Sequence, residues 1–177
     1  MPSAVALRYA RALADFDQAI QLHSDYALAY VNRGRVYAVQ NEYDLAISDF
    51  NRAIELQADF VEAYYNRAVA YHAQGNDTQV VADTGRIIEL DAANALAYNL
   101  RAIAHIQLGN TTLALADFSK VVELTPDDAI AYYNRALVKS YLGQMEQAKD
   151  DLRQSIGLEP DAERRAAAEQ LLAELGG

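Results

Sequence analysis

The stretch Ala29-Tyr30-Val31-Asn32-Arg33-Gly34 decides the fold, because it comes back three times. It recurs as Ala63-Tyr64-Tyr65-Asn66-Arg67-Ala68, as Ala97-Tyr98-Asn99-Leu100-Arg101-Ala102 and as Ala131-Tyr132-Tyr133-Asn134-Arg135-Ala136. Successive tyrosines in the series stand 34 residues apart. A second series, Ile54-Glu55-Leu56, Ile88-Glu89-Leu90 and Val122-Glu123-Leu124, keeps the same frame. Two motifs locked to one period mark an array of units, each burying its apolar face on its neighbours.

Within a unit the apolar spacing is helical. Tyr30, Gly34 and Tyr37 form one stripe at i, i+4, i+7. After a break at Asn41-Glu42, a second stripe carries Ala46, Phe50, Ala53 and Leu56. The break returns as Gly75-Asn76, Gly109-Asn110 and Gly143-Gln144. Glycine just past a helix end takes the left-handed conformation that closes it, and asparagine is the usual substitute. Pro126 and Pro160 mark the stops between units, with Ala58 and Ala92 in the equivalent places. Each unit reads as a helical hairpin.

Composition agrees with this. The 177 residues include 34 alanines, eight glycines and three prolines, which favours helix over turn-rich β structure. A net charge of −10 argues against an electrostatic grip on nucleic acid or on an anionic membrane, and neither is expected as a partner. The absence of cysteine excludes disulfides, thiolate zinc sites and a cysteine nucleophile. No apolar run reaches membrane-span length, and the start, Met1 to Arg8, shows no charged leader with a long apolar core. The expectation is a cytoplasmic protein.

Period, frame and residue sizes together resemble the tetratricopeptide repeat family. The resemblance covers four full units, 27–60, 61–94, 95–128 and 129–162. It implies an all-α fold, a right-handed α-solenoid of helix-turn-helix repeats. Gly34, Ala68, Ala102 and Ala136 stand where the family needs close helix contact, as do Ala46, Ala114 and Ala148. Phe50 and Phe118 take its large-residue place in the second helix. Residues 1–26 read as a partial repeat with a second helix only, since Asp15-Phe16-Asp17-Gln18-Ala19-Ile20 aligns on Asp49 to Ile54. Residues 163–177 read as a capping helix that buries Ala167, Ala168, Leu171, Leu172 and Leu175. Unit 61–94 departs from the pattern at Val80, Thr84 and Gly85 and is expected to be the loosest packed.

Chemistry-bearing motifs are missing. There is no glycine-rich phosphate loop, no histidine pair at metal spacing and no nucleophile elbow. His23, His72 and His105 are scattered, and His105 replaces a packing tyrosine. Asp15-x-Asp17 and Asp127-Asp128 read as helix-end acids rather than a cation site. No catalytic residue, metal or cofactor is expected. Arg33, Arg67, Arg101 and Arg135 keep the frame together with Asp15, Asp49, Asp83, Asp117 and Asp151. That co-recurrence favours ion pairs between helices over anion binding, with pairing within a unit or across units, such as Arg33 with Asp15, left open.

The resemblance also implies a concave groove lined by the first helix of each unit. Asn32, Asn66 and Asn134 are expected there as an amide ladder for the backbone of an extended peptide. Arg35, Tyr65, Val69, Ile103 and Tyr133 line it, with Leu28, Val31, Leu96, Ile130 and Leu137. Tyr30, Tyr64, Tyr98 and Tyr132 are packing residues. The leading reading is a non-catalytic scaffold for a protein or peptide partner. One alternative is a self-assembly unit, a homo-oligomer formed through the amino-terminal end with Leu13 and Phe16 as contacts, unless the chain is a fragment of a longer array. Another is a co-chaperone-like adaptor without the carboxylate clamp. Clamp members carry a lysine directly after the packing residue, where this chain has Val31, Tyr65, Asn99 and Tyr133.

Overall fold

The computed structural model describes residues 4–176. It divides into two compact units, residues 1–92 and 93–177. The first holds α1 (Ala4–Leu22), α2 (Ala27–Val39), α3 (Tyr43–Leu56), α4 (Val61–Ala73) and α5 (Asp77–Leu90). The second holds α6 (Ala95–Gln107), α7 (Thr111–Leu124), α8 (Ala129–Tyr141), α9 (Met145–Leu158) and α10 (Ala162–Glu174). No strand occurs among the described residues. The fold is an all-α helical repeat.

The hairpin turns show why the repeat closes where it does. Asn41, Gly75, Gly109 and Gly143 all have positive φ, between 64° and 77°. In each case the next N–H donates back to the carbonyl five residues earlier: Glu42 to Tyr37, Asn76 to Tyr71, Asn110 to His105 and Gln144 to Lys139, at 2.8–2.9 Å. That bond ties the turn to a carbonyl in the helix's last turn. Helix starts are capped more variably. Asn94, Asp128 and Asp161 accept N–H bonds from the first turns of α6, α8 and α10. Asp128 is thus a helix cap, and Asp161 is held below the usual carboxylate range by the N–H of Arg164 and by its charge.

Packing follows residue size. A Cβ placed on Gly34 would lie 2.7 Å from the Phe50 ring, so α2 and α3 approach as closely as glycine permits. Phe50 is fully buried with Val31, Ala46, Ala53 and Ala63. In the second unit Ala102, Ala114, Phe118 and Val138 form one cluster. Ala136, Ala148, Leu152 and Ala168 form another, and the latter brings α10 onto α9. Burying a phenylalanine or leucine side chain stabilises by about 1.5–3 kcal/mol, so these sites fix the hairpins. In α5 the buried Thr84 replaces the aromatic ring, and its hydroxyl donates to the Val80 carbonyl at 2.6 Å.

Candidate functional site

The first helices are held in register by a repeated ion pair. Arg33, Arg67, Arg101 and Arg135 each grip an aspartate of the following helix through Nε and Nη2: Asp49, Asp83, Asp117 and Asp151, at 2.6–2.8 Å. The aspartates are buried. The hydrogen bonds they donate to Asp49, Asp117 and Asp151 hold Arg33, Arg101 and Arg135 above the ordinary guanidinium range, against the opposing effect of burial. At Arg67 burial is the larger influence and works to lower the pKa, yet the Asp83 pair still leaves it raised. Tyr30, Tyr64, Tyr98 and Tyr132 cover the guanidinium groups at 5.4–5.7 Å. The arginine series is therefore consumed in packing. The aspartate pairing is within each repeat, and the partner of Arg33 from the preceding partial repeat is Asp17 at 2.6 Å rather than Asp15. Asp17 and Asp49 lie 16 residues to either side of Arg33, the separation that places a carboxylate on each flanking helix.

With the arginines tied down, the candidate binding residues separate by unit. In the first, Asn32 and Arg35 line an open hollow of about 480 Å³ together with Arg8, Tyr9, Ala12, Phe16 and α2 valines. The candidate peptide contacts and the candidate association contact Phe16 therefore meet in one place. Leu13 is half-buried nearby on α1. Arg35 pairs with Glu62 at 3.3 Å. Tyr65 is half-buried and Val69 is exposed. The Asn66 amide donates to its own Glu62 carbonyl at 2.7 Å, so it is partly occupied.

Val31 is a correction. It was expected in the groove, yet it is fully buried in the cluster around Phe50. Its place on α2 lies at the edge of the groove stripe, where one step of helical rotation turns a side chain inward. An apolar residue there gains by taking the buried orientation.

In the second unit Ile103 is half-buried on α6. Tyr133 and Asn134 line a cavity of about 270 Å³ with Ile130, Ser155, Glu159, Arg164 and Ala167. Among the described residues the Asn134 side chain has no hydrogen-bond partner. A second cavity, about 430 Å³, is lined by Ile106, Gly109, Thr111, Leu137, Val138 and Tyr141. Ser155, Glu159 and Arg164 were not foreseen from sequence. Their signal was a break in the frame: Ser155 stands where Ala53, Ile87 and Val121 stand in the other repeats. No cluster of three or more metal-ligating side chains occurs among the described residues. Nor is any helix among them long and apolar enough to cross a membrane.

The TPR repeat family model matches residues 34–75 and 104–140, and the tetratricopeptide repeat model matches 129–162. Together they span more than half of the chain. The chain belongs to the tetratricopeptide repeat family. Among solved structures it is similar to YrrB, a TPR protein with an unusual peptide-binding site, at 26% identity and a TM-score of 0.78, covering 94% of this chain and 86% of that one. It is similar to the first TPR of Spaghetti (RPAP3) bound to the HSP90 peptide SRMEEVD, at 25% identity and a TM-score of 0.64, covering 66% and 93%. MamA shares the fold at 17% identity and a TM-score of 0.77, covering 92% and 89%. No curated protein matches the chain by sequence.

Proposed function

We propose that this tetratricopeptide protein is a non-catalytic scaffold that binds an extended peptide segment of a partner on the first-helix face of each unit. Asn32 and Asn66 act in the first unit and Asn134 in the second. Arg35, Tyr65, Val69, Ile103 and Tyr133 provide the surrounding contacts. The observation that carries this reading is the division of labour on the first helices. Their arginines are spent on buried aspartates, while Asn32 and Asn134 line open hollows. An amide offers a donor and an acceptor to a peptide group without demanding a sequence. The peptide-binding site of YrrB, at 26% identity, supports the same use. The HSP90 peptide bound by the Spaghetti domain ends in acidic residues. This chain has Val31, Tyr65, Asn99 and Tyr133 at the resembling clamp places, and its net −10 charge repels an acidic tail.

A random peptide library displayed against the full chain tests the reading. Selected peptides are expected to bind, and the Asn32→Ala, Asn66→Ala, Asn134→Ala triple variant to weaken them at least about tenfold by calorimetry. Unchanged affinity in the triple variant refutes the amide ladder. Self-association through Leu13 and Phe16 is the second reading, favoured by Phe16 sharing the hollow with Asn32 and Arg35. Light scattering on the wild type and on a Leu13→Glu, Phe16→Glu variant decides it. Two monomers rule it out.

A further inference from the structure

In the wall of the cavity between α8, α9 and α10 lies a serine whose hydroxyl has no protein partner among the described residues. Ser155 is 3% exposed and lines the cavity. In the same register Ala53, Ile87 and Val121 are buried and apolar. Three other hydroxyls return their proton to the carbonyl one helical turn back. Thr84 bonds Val80, Ser119 bonds Leu115 and Thr125 bonds Val121, at 2.6–2.8 Å. Ser155 makes no such bond among the described residues. Its oxygen is not among the fully buried side-chain atoms left without a partner, so the hydroxyl stays open to a hydrogen bond from the cavity, which an apolar residue in this register could not offer. A ligand hydroxyl entering the cavity can take the place of water on the serine.

The rest of the wall selects the ligand. About 270 Å³ falls below the roughly 300–1,000 Å³ of pockets that take whole small molecules, so a single side chain fits. Ile130, Ala167 and the Tyr133 ring make most of it apolar. Glu159 is 5% exposed, and both of its oxygens are engaged: Oε1 accepts the Asp161 N–H at 3.0 Å and Oε2 pairs with Arg164 at 3.2 Å. The Glu159 carbonyl is bonded in turn by Arg165 Nε and Nη2. A lysine or arginine entering the cavity would find this carboxylate already satisfied, and an acidic side chain would be repelled by it. A phenylalanine would fill the apolar walls and leave Ser155 unpaired.

We propose that this cavity is the anchor pocket for one tyrosine side chain of the bound peptide, its ring against Ile130, Tyr133 and Ala167 and its phenol paired with Ser155. The Asn134 amide, also in the wall, bonds the peptide backbone beside the anchor. Tyrosine suits such a pocket because it carries a large rigid apolar area and one polar tip. A site built around a hydroxyl partner also discriminates against the analogue that lacks it. The proposal rests on the peptide-binding reading above and adds the side chain the second unit recognises.

Titration of the full chain with p-cresol and with toluene, the side-chain analogues of tyrosine and phenylalanine, tests it by NMR. Expected are p-cresol shifts at Ser155, Ala167 and the Asn134 side-chain amide, with affinity about fivefold above toluene, the worth of one neutral hydrogen bond. Ser155→Ala should keep toluene binding and abolish the preference. Ser155→Val, which installs the residue found at Val121, should do the same if the alanine variant loses its helical circular dichroism. Equal binding of the two probes, shifts confined to other surfaces, or a preference that survives both variants overturns the anchor. If library peptides bind without tyrosine while p-cresol ignores the cavity, the anchor falls and the peptide reading stands. If p-cresol binds with the expected preference but no peptide does, the pocket stands and the peptide reading falls.

Discussion

In the first unit each bridging arginine finds a third acceptor on the helix before it: Asp17 for Arg33 and Asn51 for Arg67, both at 2.6 Å. Each is also flanked by two tyrosines, Tyr30 and Tyr37 or Tyr64 and Tyr71, at 5.4–6.0 Å. In the second unit the sharing runs the other way. Arg101 and Arg135 keep one tyrosine each, and the places of Tyr37 and Tyr71 are taken by His105 and Lys139. At Asp151 the aspartate is the shared partner. Lys139 reaches Asp151 at 2.8 Å, and His105 Nε2 stands 4.0 Å from Asp117. Ser119, which has the register of Asp17 and Asn51, spends its hydroxyl on Leu115 instead. One bridge thus sits in two charge environments: a cation between acceptors in the first unit and, at Asp151 in the second, an anion between donors.

The largest expected effect comes from removing the anion where it is shared. Asp151→Ala strands Arg135 and Lys139, both mostly buried, and should destabilise the chain by about 3–5 kcal/mol. Asp49→Ala should cost less, because Arg33 retains Asp17. Urea midpoints followed by circular dichroism check the order. Adding Lys139→Met to Asp151→Ala should recover part of the loss by removing one stranded charge. Equal midpoints for Asp49→Ala and Asp151→Ala would mean that the two environments are equivalent, and the comparison would break.

His105 sharpens the same contrast through pH. It is 8% exposed and its Nδ1 is buried without a partner. Burial holds its pKa below the ordinary 6.5, with Asp117 pulling it up and Arg101 pushing it down. The unfolded chain therefore takes up this proton first as pH falls. Stability from the neutral ring is complete above pH 6.5 and is lost progressively from there down to the lowered folded value. His105→Tyr, which installs the residue of the first unit, should remove that loss. Its urea midpoint should fall less than that of the wild type between pH 7 and pH 5. The difference amounts to about 1.4 kcal/mol for each unit by which the pKa is lowered. Asp161 titrates alike in both proteins and cancels.

How much of this could be read in the residues depends on which physical signal carried it. Period and turn chemistry place the hairpins, because a left-handed residue at Asn41, Gly75, Gly109 and Gly143 leaves the chain little choice. The ion pairs were visible as co-recurring series, but their partners were not. Asp15 and Asp17 differ by about half a helical turn, and without knowing how adjacent helices face each other neither can be preferred. Val31 illustrates the same limit, since a residue at the edge of a stripe can be turned to either side. The cavity at Ser155 and Glu159 was hidden because it joins three helices, one of them outside the full repeats. Its sequence trace was one polar residue in an otherwise apolar register.

Smaller effects test the packing side of the comparison. The first unit sets Gly34 against Phe50, while the second sets Ala102 against Phe118. Gly34→Ala would place a Cβ 2.7 Å from the buried ring and 3.1 Å from the Ala46 carbonyl, so α2 and α3 must separate. Overpacking of this kind costs about 1–3 kcal/mol, and the better helix propensity of alanine returns about 1 of it. A net loss of about 1–2 kcal/mol is expected. A neutral result would show that the first unit accommodates the alanine that the second carries at Ala102.

The smallest effect has the opposite sign. Gly85 lies inside α5, next to Thr84, in the stretch of the first unit that departs furthest from the repeat pattern. Its φ is not positive, and a Cβ built there meets no atom within 4 Å. Neither a backbone requirement nor a close approach therefore calls for glycine. What remains is its entropic cost in a helix interior, because the unfolded chain is freer at glycine than at alanine. Gly85→Ala should raise stability by about 0.5–1 kcal/mol, seen as a higher urea midpoint with an unchanged slope. Gly157 in α9 of the second unit also has open space around its Cβ, but it lies one residue from that helix's last position. Its alanine variant should gain less, since helix ends fray and fixing them costs less entropy. If Gly157→Ala gains as much as Gly85→Ala, position in the helix is not what limits α5. If Gly85→Ala gains nothing, the departures at Val80, Thr84 and Gly85 are not a weakness of the first unit.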